Sequence, residues 1–227
     1  KRKENRKSEY FGLLSTGNFN ENTARFYADH ILITSNRKLL QESERLFRFL
    51  KKRKTATGTN LKVNRLLVAQ FNLQHRFLEM IDREIEHARK GLPAAITIKM
   101  NNLEEREFIA RLYEASRAGV NVSLIIRGIC CLVPGVKGLS ENIRVIRIID
   151  RFLEHARVFI FNNNNQPEVY LGSADWMIRN IYRRIEVCFP IDNQTMKSEV
   201  IGMINLQLKD NVQAVTVDDK LNNIPVR

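Results

Sequence analysis

His155 and Arg157 stand two residues apart at the start of an apolar run, Arg157-Val158-Phe159-Ile160-Phe161. In an extended strand, residues i and i+2 leave the same face, so a group that can move a proton and a permanent cation would point together. Seventeen residues after His155 comes Gly172-Ser173-Ala174-Asp175-Trp176, at the end of a second apolar run, Glu168 to Leu171. The small residues of this turn would let a phosphoryl group approach backbone N–H groups, with Ser173 and Asp175 as hydrogen-bonding partners. The guanidinium of Arg157 suits the same chemistry, because its planar fork meets phosphate oxygens in pairs and keeps its charge.

A histidine-x-cation strand followed by a small, polar turn resembles the half-site of the phospholipase D superfamily. Three positions depart from it. Arg157 replaces the lysine, Asn162 stands where the motif aspartate falls, and Asp175 replaces the asparagine. These departures speak against a phosphodiesterase. Sites of that superfamily are built from two halves, and a second turn is present at Ser15-Thr16-Gly17-Asn18-Phe19-Asn20, in the same small-polar-aromatic order. Counting back seventeen residues from it runs past Lys1. The matching histidine is therefore expected upstream of this chain.

The elements that must carry these residues follow from periodicity. Residues 38–54 place Leu39, Leu40, Leu46, Phe47 and Leu50 at helical spacing, and Thr55-Ala56-Thr57-Gly58-Thr59-Asn60 reads as a linker. Leu66-Leu67-Val68 predicts a short strand, and Phe77, Leu78, Ile81 and Ile85 predict a helix ended by Gly91-Leu92-Pro93. A strand at Ala95 to Lys99, a helix over 104–118 closed by Gly119, and a strand at Val120 to Ile126 make a strand-helix-strand unit. Further strands are expected at 143–149, 157–161, 168–171 and 184–189, and a last helix at about 195–208. The strand at 157–161 is apolar on both faces except at its start, so it should be central, with Glu154, His155 and Arg157 at its entrance. The fold expected is α/β, a mixed sheet flanked by helices, with one partial unit over residues 1–58 and one complete unit over 59–227.

Longer stretches look like the polyphosphate kinase family. They are Ser-Thr-Gly-Asn-Phe-Asn-Glu-Asn-Thr-Ala-Arg-Phe-Tyr-Ala-Asp at 15–29, Leu-Ile-Ile-Arg-Gly-Ile-Cys-Cys-Leu-Val-Pro-Gly at 124–135, Leu-Ser-Glu-Asn-Ile-Arg at 139–144, Arg-Phe-Leu-Glu-His at 151–155 and Gly-Ser-Ala-Asp-Trp-Met-Ile-Arg-Asn at 172–180. The resemblance implies a phospholipase-D-like mixed sheet, with residues 1–58 as the trailing part of one catalytic domain and 59–227 as the next. It implies reversible transfer of the terminal phosphate of ATP to inorganic polyphosphate through a phosphohistidine upstream of this chain. ATP or ADP and Mg2+ are the implied cofactors, with the magnesium ligands upstream and none in this chain.

Carried over from the family, Tyr27, Arg127 and His155 match nucleotide contacts. Tyr27 would border the adenine, Arg127 would clamp phosphate oxygens, and His155, the catalytic residue, would protonate or hydrogen-bond the phosphoryl group in flight. Asn18, Arg25, Arg157, Ser173, Asp175 and Arg179 are candidate lining for an anionic path, with Arg183 or Arg184 beside them. His30, His75 and His87 read as structural or solvated. A homo-oligomer in the cytoplasm, peripheral on the inner face of a bacterial membrane and without specific nucleic acid, is the expected setting. Alone, the chain is expected to be catalytically inert.

Composition bounds these readings. With 227 residues and 44% hydrophobic content, the chain suffices for one core, or for one domain plus part of another. No apolar run approaches the roughly 18 residues of a membrane span, and no apolar stretch follows the basic opening residues as in a signal peptide. Three cysteines without a C-x-x-C pair speak against a disulfide framework or a zinc site. A net charge of +12 predicts attraction to a polyanion without choosing among nucleic acid, acidic lipid, nucleotide and polyphosphate. Two alternatives follow. One is a phospholipase-D-like phosphodiesterase or nuclease, from the half-site pattern. The other is a non-catalytic basic module binding polyanions, from the charge and from Phe47 and Phe49 beside Lys51 to Lys54.

Overall fold

The computed structural model describes residues 2–4, 7–52, 56 and 61–226. The expected linker over 55–60 therefore lies, except for Ala56, outside the described residues. In chain order the strands and helices are β1 (Arg2–Glu4), β2 (Lys7–Glu9), β3 (Gly12–Ser15), β4 (Tyr27–Ala28), β5 (Ile31–Thr34), α1 (Arg37–Lys51), β6 (Leu67–Val68), α2 (Leu73–Arg89), β7 (Ala95–Met100) and α3 (Arg106–Arg117). They continue with β8 (Asn121–Ile126), β9 (Ile143–Arg147), β10 (Leu153–Glu154), β11 (Arg157–Phe161), β12 (Glu168–Gly172), α4 (Ile178–Tyr182), β13 (Val187–Pro190), α5 (Gln194–Leu208), β14 (Val215–Val217) and β15 (Asn223–Pro225).

A nine-stranded mixed sheet runs in the order β15-β14-β9-β8-β7-β11-β12-β13-β6. β7, β8 and β9 are parallel, while β11 is antiparallel to both of its neighbours, β7 and β12. This is the mixed α/β sheet expected, and β11 lies inside it. Successive residues of β11 face opposite cores. Phe159 and Phe161 join Phe77, Phe108 and Trp176 under α2 and α3, whereas Val158 joins Leu39, Leu46, Val200 and Ile204 under α1 and α5. A strand covered on both sides must be apolar on both sides, which explains its sequence.

The helices start and stop where local chemistry dictates. Asn36, Glu105 and Asn193 each accept a hydrogen bond from the backbone N–H three residues on, capping α1, α3 and α5. Gly119 has φ +92°, the left-handed conformation that closes α3. The strand expected at 184–189 begins only at Val187, because its partner β12 ends at Gly172, opposite Cys188. The strand expected at 143–149 stops at Arg147, the last residue that β14 pairs.

Besides the packing of Leu39 and Leu46, polar contacts hold the residues before the linker to the sheet. The buried carboxylate of Glu42 on α1 accepts from the backbone N–H groups of Asn64, Arg65 and Leu66 at 2.9 to 3.1 Å. β4 pairs in parallel with β10, setting Tyr27 beside Leu153 and Ala28 beside Glu154.

Candidate active site

Because β11 runs against β7 and β12, its first residue lies at the edge where those strands and β8 end. Asn101 follows β7, Arg127 follows β8, Asp175 follows β12, and Arg157 opens β11. The β4–β10 pair delivers Tyr27 and Asp29 to the same edge from far back in the sequence. Candidate residues from both parts of the chain are thus brought together.

The Asp29 carboxylate receives His155 Nδ1, with both of its oxygens 3.0 Å away. Thr16 Oγ1 donates to Asp29 Oδ1 at 2.6 Å. A Cβ at Gly17 would fall 2.0 Å from Asp29 Oδ2, so a larger residue there would displace this carboxylate or the turn over it. Burial alone would raise the Asp29 pKa, but the hydrogen bonds from His155 and Thr16 and the charges of His155 and Arg157 hold it below the usual range. An ionised carboxylate only accepts, so Nδ1 carries a proton, and Nε2 is the ring's second site, facing Arg157 Nη1 at 2.9 Å. The Tyr27 ring lies 4.6 Å from the His155 ring, centroid to centroid.

Arg157 braces the other side of the imidazole. Its Nη1 lies 3.2 Å from Nδ1 and 2.9 Å from Nε2, so it sits across the ring, and it also donates to the His155 carbonyl at 2.9 Å. Its opposite edge meets Asp175 as a fork, Nε to Oδ1 and Nη2 to Oδ2, each 3.1 Å. Both side chains are buried, 9% and 5% exposed. Burial would raise the Asp175 pKa, yet the charge of Arg157 and hydrogen bonds from Arg157 and Asn101 lower it below the ordinary value. The fork expected to hold phosphate is therefore occupied by a side chain of the protein itself. Asp175 serves as its counter-charge.

Ser173 donates to Glu186 Oε2 at 2.5 Å, and Asn180 donates to Glu186 Oε1 at 2.8 Å. The two turns are alike in this respect. Thr16 and Asp29 are separated by 13 residues, as are Ser173 and Glu186. Each turn hydroxyl holds an acid from the strand region that follows.

Arg127 is half-buried and borders a cleft of about 260 Å³ lined also by Phe26, Tyr27 and residues 149–154. Asn18, Arg25, Arg179, Arg183 and Arg184 are exposed rather than built into the buried network. His30 is half-buried, its pKa lowered by burial and by Lys99. His75 is exposed and pairs with Glu79. Glu154 forms an ion pair with Lys99 and accepts from Gln207. Among the described residues, no three His, Cys, Asp or Glu side chains are grouped to hold a metal ion.

The sequence profile of the polyphosphate kinase C-terminal domain 2 matches residues 66–227, and that of the polyphosphate kinase C-terminal domain 1 matches residues 1–56. The polyphosphate kinase of Escherichia coli K12 is 43% identical over 222 residues, which cover 98% of this chain and 32% of that protein. The polyphosphate kinase of Vibrio cholerae is also 43% identical over 222 residues, 98% of this chain and 31% of that one. The fold superposes on the crystal structure of polyphosphate kinase from Porphyromonas gingivalis with a TM-score of 0.89 and 44% identity, over 96% of this chain and 34% of the other. The chain spans about a third of the length of these relatives. With more than half of its length matched by one domain profile and with this superposition, the chain belongs to the polyphosphate kinase family.

Proposed function

We propose that the chain supplies the nucleotide-side part of a site that transfers the terminal phosphate of ATP to inorganic polyphosphate, reversibly and through a phosphohistidine carried elsewhere. The observation that carries this reading is His155, fixed by Asp29 at Nδ1 and braced by Arg157, with Arg127 on the adjoining cleft. Such a site presents one imidazole nitrogen and one aimed cation to a phosphate. In this reading Tyr27 borders the base, Arg127 binds phosphate oxygens bidentately, and His155, once Nε2 also carries a proton, donates from Nε2 to the phosphoryl oxygen. Phosphoryl transfer asks mainly for positioned charge, which suits a rigid ion-paired layer at a sheet edge.

Magnesium, where bound, would neutralise charge on the phosphates, and no described residue is assigned to it. Arg157 and Asp175 act as positioning residues, and Ser173 acts through Glu186. Asn18, Arg25 and Arg179 add exposed polar and cationic lining along which a polyanion can run.

Competition binding tests this reading. ATP and long-chain polyphosphate are each expected to displace a labelled single-stranded RNA from the chain, and Arg127→Ala is expected to weaken ATP about tenfold or more. Indifference to ATP with retention of RNA would favour the basic polyanion-binding module instead.

A further inference from the structure

Arg127 is held along one edge only. Its Nε and Nη2 both donate to a single acceptor, Asn101 Oδ1, at 3.0 and 2.6 Å. Asn101 is 2% exposed, and its other polar atoms are committed to the same layer. Its backbone N–H donates to Asp175 Oδ1 at 2.8 Å, and its Nδ2 to the His155 carbonyl at 3.2 Å and to Asp175 Oδ1 at 3.4 Å. Its carbonyl accepts the Gly128 N–H at 2.7 Å.

We propose, on the functional reading above, that Asn101 is the positioning residue for the phosphate-binding cation: its amide oxygen aims Arg127, and its amide nitrogen ties that aim to Asp175 and His155. The amide is the group the place requires. Arg127 needs an acceptor and Asp175 needs a donor, and a carboxamide offers both at one side-chain end without a charge. A carboxylate would accept the same two N–H groups, but it would cancel the guanidinium charge in a bidentate pair and set a second anion against Asp175. A neutral acceptor orients Arg127 and leaves its charge to the ligand.

The backbone enforces the arrangement. A Cβ at Gly128 would fall 2.6 Å from Asn102 Oδ1 and 3.0 Å from the Asn101 carbonyl, so the residue after Arg127 is clamped to the turn that carries Asn101. Asn102 Oδ1 accepts from the Ile129 N–H at 2.9 Å, extending the clamp. Asn101 is therefore assigned a role through Arg127, with no ligand contact of its own.

The test is a double-mutant cycle on ATP affinity, measured by titration calorimetry of the chain. Asn101→Ala is expected to weaken ATP about tenfold, the value of a hydrogen bond to a charged group. Asn101→Asp, of nearly the same shape, is expected to weaken it more. Asn101→Ala should add nothing further in an Arg127→Ala background, because two residues acting as one unit are not additive. Additive losses in the double variant, or wild-type affinity in Asn101→Asp, would overturn the proposal, and circular dichroism of each variant shows whether the fold is kept. Wild-type chain that fails to bind ATP would overturn the functional reading itself, a separate outcome from additivity.

Discussion

Asp29 and His155 are 126 residues apart in sequence, yet both carboxylate oxygens of Asp29 lie 3.0 Å from His155 Nδ1. The contact exists because the two-residue strand β4 pairs in parallel with the two-residue strand β10, carrying Asp29 past its end to meet His155 past the other. Asp29→Asn removes the anion that fixes the imidazole tautomer while preserving shape. With this chain carried in place of the matching part of a full-length polyphosphate kinase, kcat for phosphate transfer is expected to fall by about 10²-fold or more with little change in the KM for ATP. Equal loss in both parameters would point to general disruption of the site.

Gly17→Ala probes the same carboxylate from above. The added Cβ would lie 2.0 Å from Asp29 Oδ2, so either the turn or the aspartate must move. In the same full-length setting, loss of transfer activity with a melting temperature close to wild type is expected. Unchanged activity would mean that the turn yields without disturbing His155.

Much of the scaffold was legible and part of the site was not. The α2-β7-α3-β8 unit and β11 showed in the sequence because each is long enough to display its period or its two-sided apolar character. The pairing that delivers Asp29 did not show, since two-residue strands have no period to read. A signal was present nonetheless: Thr16 precedes Asp29 by the same 13 residues that separate Ser173 from Glu186. Arg157 was legible as a cation at the site, but its partner was not. That Asp175 takes its fork depends on the register that sets Arg157 opposite Gly172, a long-range fact. Asn101 carries no motif and becomes visible only where β7 and β8 end side by side.

Asp175→Ala leaves Arg157 buried and without its counter-charge. Removing one partner of a buried pair costs about 3–5 kcal/mol, so the urea midpoint should drop strongly with an unchanged slope. A change below about 1 kcal/mol, the range of exposed pairs, would show that water reaches Arg157 freely.

Asp29 and Asp175 both have lowered pKa values in the folded chain. A carboxyl with a depressed folded pKa contributes stability that is present above its unfolded pKa, about 3.9, and lost as pH falls through the folded value. Acid denaturation should therefore steepen below the ordinary carboxylate range. Asp29→Asn should flatten that acid limb relative to wild type when stability is followed by circular dichroism. An acid limb identical in both would assign the pH dependence to other carboxylates.

Glu42→Ala leaves three backbone N–H groups, those of Asn64, Arg65 and Leu66, without the acceptor that joins α1 to the sheet. A buried donor left unsatisfied costs about 1–3 kcal/mol, so destabilisation of several kcal/mol is expected. Hydrogen exchange at Leu66, which is buried, should accelerate well beyond exchange in β11. Uniform acceleration across the sheet would mean that the two parts unfold as one.

On the function proposed above, His155, held by Asp29 and braced by Arg157, serves transfer of the ATP terminal phosphate. A chimera tests it directly, with this chain replacing the matching 32% of the Escherichia coli relative. Incorporation of terminally labelled ATP phosphate into acid-insoluble polyphosphate is then measured. Incorporation is expected to fall by about 10²-fold or more in His155→Ala, the range of a lost general acid or base. Undiminished incorporation in that variant would contradict this role of His155.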